Sequence, residues 1–122
     1  MAKILVVDPN PVDRALEMRE LARDGHEVTA AGPAEALAEL DSATPDVVVL
    51  EIGAPCDTGL GLMAAMTARH REIPVILNTC YSGYRDDFRS WCAAGEVAKS
   101  SDALALRDKV RDVLRALKTH AA

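Results

Sequence analysis

The sequence predicts a doubly wound α/β fold, a sheet of five parallel strands with helices on both faces, and three observations predict it. Short apolar runs alternate with stretches of helical spacing, so each crossover returns the chain to the same end of a sheet. The run Val47-Val48-Val49-Leu50 offers no polar position, as expected of a strand covered on both faces. Finally, Asp8, Glu51, Thr79 and Lys99 end apolar runs, and open parallel sheets gather their functional groups at the carboxyl ends of strands.

The elements follow in order. Lys3 to Asp8 is a β-branched run and the first strand. Asn10 suits the cap of the next helix, Pro11 its first position, and Gly25 its left-handed end. Within that helix Val12, Ala15, Leu16, Leu21 and Ala22 form the expected inward stripe. His26 to Ala31 is a second strand, followed by a short helix that turns Ala36, Leu37 and Leu40 inward. Asp46 to Ile52 is the third and central strand, followed by a loop from Gly53 to Thr58.

The third helix is expected over Gly59 to His70, with Leu62, Met63 and Met66 at core spacing. Ile73 to Thr79 is the fourth strand, and Tyr84 to Ala94 has the spacing of a fourth helix through Phe88, Trp91 and Cys92. A brief fifth strand spans about Glu96 to Lys99. The fifth helix begins at Ser101-Asp102 and turns Leu106, Val110, Val113, Leu114 and Leu117 inward.

One domain over residues 1–122 is expected, because 122 residues suffice for a single core and no linker or repeat interrupts them. No apolar run approaches the length of a membrane span, and Met1-Ala2-Lys3 leads into a strand rather than a secretory leader. A cytoplasmic location is the expectation. The net charge of -5 disfavours nucleic acid, since the bases of the last helix alternate with Asp108 and Asp112. Cys56, Cys80 and Cys92 lack metal or redox spacing and read as reduced thiols. Cys56 and Cys80 fall on loops at the pocket's end of the sheet, so a redox pair is the alternative.

Taken together, Ile4-Leu5-Val6-Val7-Asp8-Pro9-Asn10-Pro11 with Arg14, Pro45 to Ile52 with Pro55 and Gly59, Pro74 to Thr79, and Lys99-Ser100-Ser101-Asp102 resemble the receiver domain of bacterial two-component response regulators. The resemblance implies a flavodoxin-like fold with strand order 2-1-3-4-5 and a signalling module rather than an enzyme. In a typical member, an aspartate ending the third strand accepts a phosphoryl group. Magnesium bridges it to two acids after the first strand, while Thr or Ser and Lys hold the phosphoryl oxygens.

This chain departs from that pattern where the chemistry is done. Glu51 stands at the phosphoacceptor position, and its extra methylene moves the carboxylate roughly 1.5 Å outward. Pro9 stands in place of an acid and offers neither carboxylate nor amide hydrogen. Asp8, Glu51 and Gly53 remain as remnants of the metal site, and magnesium binding is expected to be weak or absent. Glu96 replaces the aromatic ring of the family's switch, and Ser100 replaces the proline after the lysine.

The reading is therefore of an atypical receiver that signals by protein contact, with phosphorelay through weak residual acceptance as the alternative. A flavin-carrying module of the same fold is a second alternative, disfavoured by the acidic, proline-interrupted loop after the first strand. Glu51 either substitutes for the acyl phosphate or merely pairs with Lys99. A pair of that kind at a partly exposed pocket is worth about 0 to 1 kcal/mol. No cofactor is expected. The expected partner is a protein: a histidine kinase, another signalling protein, or a second copy through the face between the fourth and fifth helices. Tyr81, Tyr84 and Trp91 are candidate contacts there, being aromatic and close in sequence.

Overall fold

The computed structural model describes residues 2–52, 56–79, 93–99 and 103–121, with the side chains of 56–58 and 119–121 outside that set. Residues 84–92 of the expected helix, and with them Tyr84, Phe88, Trp91 and Cys92, lie outside the described residues, as do Cys80, Tyr81, Gly53 and Ser100 to Asp102. Ala93 and Ala94 are described and are not helical, Ala94 N donating to Val75 O (2.8 Å). Five strands, β1 (Lys3–Val7), β2 (Glu27–Ala31), β3 (Val47–Leu50), β4 (Val75–Thr79) and β5 (Gly95–Ala98), form one sheet. Their order is β2-β1-β3-β4-β5 and every pairing is parallel, as the resemblance implied.

Four helices are present among the described residues: α1 (Pro11–Arg23), α2 (Ala36–Ala43), α3 (Cys56–Arg69) and α4 (Leu104–Ala121). The alternation of side chains along each strand divides the core into two halves. Leu5, Val7, Val48, Leu50 and Leu77 face α2 and α3, meeting Leu40, Met63 and Met66. Ile4, Val6, Val47, Val49 and Ile76 face α1 and α4, meeting Leu21, Leu106 and Val110. All four residues of β3 are buried, which explains why its sequence has no polar position.

The ends of the elements have local causes. Asn10 Oδ1 accepts from the amides of Val12 (2.9 Å) and Asp13 (3.3 Å), and Pro11 opens α1. Asn10→Ala is expected to cost about 1 kcal/mol, read as a lower urea midpoint at unchanged slope. Gly25 follows the helix at φ 89°, the left-handed position expected of it. α3 begins at Cys56, earlier than the Gly59 start expected from sequence. Gly59 lies inside its first turns because a Cβ there would come within 3.2 Å of the Ile52 Cα, so the missing side chain lets α3 press on the end of β3.

The inward face of α1 differs from the expected stripe. Leu21 is buried and Leu16 half-buried, but Val12 is 75% exposed and Ala15 and Ala22 also face outward. The other inward positions are held by acids: Glu17 and Glu20 are buried, and Asp13 is half-buried. α4 starts at Leu104 rather than at residue 101, and Leu117 lies at the rim of the core rather than inside it.

Candidate functional site

The parallel register sets the ends of β1, β3, β4 and β5 side by side, and the backbone ladder continues one step beyond them. Glu51 N donates to Val7 O (2.9 Å), Asp8 N to Ala31 O (3.2 Å), and Lys99 N to Thr79 O (2.9 Å). The first residue after β1, β3 and β5 is thus held as firmly as the strands themselves. Asp8, Glu51, Thr79 and Lys99 converge at this edge. Pro9 sits in the same loop but is exposed, and Glu96 lies on an exposed position of β5.

Asp8 is fully buried and serves two purposes at once. One oxygen accepts from the Asn10 amide (2.9 Å), which braces the β1–α1 loop, and the other accepts from Lys99 Nζ (2.8 Å). Arg14 adds a bond to the Asp8 carbonyl (2.9 Å). Lys99 also lies 2.8 Å from Asp13 Oδ2 and 3.4 Å from Glu51 Oε2. Among the described residues that Glu51 oxygen is buried without a hydrogen-bond partner. Thr79 donates its hydroxyl to the Ile52 carbonyl, fixing the end of β4 against the residue that follows Glu51.

The pocket is more enclosed than the sequence suggested. With Glu51 8% exposed and Asp8 at 0%, the pairing with Lys99 is a buried network and not a surface ion pair. Burial pushes the Glu51 carboxyl up to about 7. The Lys99 charge pulls against this shift, and the neighbouring Asp8 and Asp13 charges add to it. Burial alone would lower the Lys99 ammonium, but its bonds to Asp13 and Asp8 outweigh that and hold it above the usual lysine value. It stays charged across the physiological range.

Two residues of the network were not singled out from sequence. Asp13 completes the set of carboxylates around Lys99. Glu17, 3% exposed, accepts from the Nδ2 of Asn78 on β4 (2.6 Å), itself 3% exposed. Burial, followed by the adjacent Asp8 carboxylate, raises Glu17 to about 8. Further along α1, Glu20 meets Arg107 of α4 at 3.7 Å. The signal was in the sequence: Asp13, Glu17 and Glu20 fall at helical spacing, and Asn78 interrupts an otherwise apolar strand. A separate cleft of about 740 Å³ runs along α4 past His26, Asp46 and Arg111, and it includes none of the acid pocket's residues.

Comparison with known proteins is consistent with this arrangement. The model of the response regulator receiver domain matches residues 4–111. The virulence transcriptional regulatory protein PhoP of Salmonella typhimurium is 32% identical over 87 residues, 70% of this chain and 39% of the relative. The probable transcriptional regulatory protein TcrX of Mycobacterium tuberculosis is 31% identical over 94 residues, 76% of this chain and 40% of the relative. The chain thus matches about two fifths of the length of these curated relatives. Among solved structures, the response regulator protein TrrA of Thermotoga maritima in complex with Mg²⁺-BeF superposes with a TM-score of 0.84 at 37% identity, covering 93% of this chain and 99% of that one. TrrA solved in complex with histidine kinase ThkA gives 0.82 at the same identity and coverage.

Proposed function

This chain belongs to the response regulator receiver domain family, and on that premise we propose that it signals by protein contact from a pocket that Glu51 and Lys99 hold in one state, without magnesium-dependent aspartyl phosphorylation. The observation that carries this reading is the Lys99 ammonium, 2.8 Å from Asp8 and 3.4 Å from Glu51, at the place where the family's acids meet its metal and phosphoryl group. An in-line phosphoryl transfer tolerates little displacement of the attacking oxygen, and Glu51 carries its carboxylate one methylene further than an aspartate.

The donors do not fit magnesium. Pro9 contributes no side-chain oxygen, and Asp8, the remaining acid of that loop, already spends one oxygen on the Asn10 amide and the other on Lys99. Magnesium demands a near-octahedral set of hard oxygens and gives up its water reluctantly. The reading of protein contact draws on TrrA, which was solved with a histidine kinase. It draws also on α1, which turns the side chains of Val12 (75% exposed) and Met18 (39% exposed) to solvent.

Incubation with acetyl phosphate and magnesium tests the proposal by intact mass. The wild-type chain is expected to stay unmodified, whereas the double variant Pro9→Asp with Glu51→Asp gains one phosphoryl group. Stable modification of the wild type at Glu51 would overturn the reading. For the contact itself, Glu51→Ala is expected to lower capture of the cognate partner from the source lysate. Unchanged capture would show that the state of the pocket is not transmitted.

A further inference from the structure

The cation of this pocket is part of the chain, and one residue outside the family's pattern holds it there. Resting on the reading of a pocket closed to divalent metal, we infer that Asp13 is a positioning residue that fixes the Lys99 ammonium among three carboxylates as the resident cation of the site. The family's three acids come from the first loop and the end of the third strand. Here the loop has lost one to Pro9, and the third carboxylate arrives from the first turn of α1 instead.

The geometry separates this role from the ordinary one. An aspartate in the first turn of a helix is favourable merely because its charge faces the amide ends, an effect of about 0.3 to 1 kcal/mol that needs no particular contact. Asp13 does more, because its Oδ2 lies 2.8 Å from Lys99 Nζ, the same distance that separates Nζ from the fully buried Asp8. The Lys99 side chain is only 15% exposed, so its ammonium has left most of its water behind and depends on these partners. The ammonium lies among three carboxylates, from β1's end, α1 and β3's end: Asp8 and Asp13 hold it at 2.8 Å, and Glu51 stands at 3.4 Å as an ion-pair partner without a hydrogen bond. A divalent ion entering the pocket has to expel an ammonium that two short charge-assisted bonds retain.

The test reads the ammonium directly. Lysine ammonium signals in nitrogen-15 NMR are recorded near neutral pH for the wild type, Asp13→Asn and Asp13→Glu, with amide spectra confirming the fold. Lys99 is expected to give a slowly exchanging signal in the wild type and in Asp13→Glu. In Asp13→Asn its hydrogen exchange should quicken by about tenfold or more, the factor expected when a charge-assisted bond is lost. Manganese, used as the probe ion and followed by electron paramagnetic resonance, should remain free with the wild type at millimolar concentration and bind to Lys99→Met.

Unchanged Lys99 exchange in Asp13→Asn would overturn the role of Asp13 and leave the closed pocket standing. Tight manganese binding by the wild type would overturn the closed pocket itself. Should Lys99→Met fail to fold, Lys99→Gln replaces it in the same measurement. A folded variant that takes up no manganese likewise overturns the ammonium as the excluding group.

Discussion

Replacing Lys99 by methionine is expected to destabilise the chain by about 3 to 5 kcal/mol at about pH 8.5, the range observed when one partner of a buried charge network is removed. Methionine keeps the stem of the side chain, so the change isolates the ammonium from the packing of its methylenes. What remains is Asp8 at 0% exposure and Glu51 at 8%, facing each other and Asp13 with no cation within 3.4 Å of their carboxylate oxygens among the described residues. The loss should be smaller at about pH 6, because Glu51 already titrates near 7 and Glu17 near 8 and both take up protons readily once the ammonium is gone. Urea unfolding at the two pH values measures both parts. A loss under about 1 kcal/mol at the higher pH would mean that water, and not Lys99, compensates these acids.

The frame of the fold was legible because its strands carry little but apolar, largely β-branched side chains and its first helix carries its own start and stop. Val47 to Leu50 declares a buried strand, and Asn10, Pro11 and Gly25 mark α1 within a residue of its observed limits. Asp8, Glu51, Thr79 and Lys99 were legible for a related reason, since a polar residue that ends a buried strand lies at the sheet's edge. The inward acids of α1 were not. Periodicity sorts apolar residues inward and charged ones outward, so it placed Val12 and Ala15 in the core and ignored Glu17 and Glu20. Those acids are buried beside partners, and most of the partners are distant in sequence: Asn78 lies 61 positions from Glu17, and Glu20 meets Arg107 of α4 as well as its helical neighbour Arg23. The 3.6-residue repeat carries no record of such pairings. The same blindness made the pocket look like a solvated ion pair rather than an enclosed network.

Glu17 also makes the stability of the chain depend on pH in the opposite sense from an ordinary paired carboxylate. Its proton is bound more tightly in the folded chain, at about 8, than in the unfolded one, at 4.5. Folding therefore takes up a proton between those values, and the stabilisation is complete below the lower one and declines as pH rises toward the upper one. From about pH 6 to about pH 8.5 the expected loss is about 2 to 3 kcal/mol from Glu17, with about 1 kcal/mol more from Glu51, whose carboxyl is raised in the same sense. The chemistry of the pair explains the sign. Asn78 donates to one Glu17 oxygen, and the other can bond to Asp8 only while it carries a hydrogen, because two ionised carboxylates offer acceptors alone. Glutamine reproduces that arrangement without a titration: its carbonyl accepts from Asn78 and its amide donates toward Asp8. Glu17→Gln is accordingly expected to match the wild type only below about pH 4.5, to exceed it by about 2 kcal/mol at about pH 6 and by about 4 to 5 kcal/mol at about pH 8.5, and to flatten the profile between them. Urea midpoints across this range decide the matter, and a variant whose profile stays as steep as the wild type's would place the proton elsewhere.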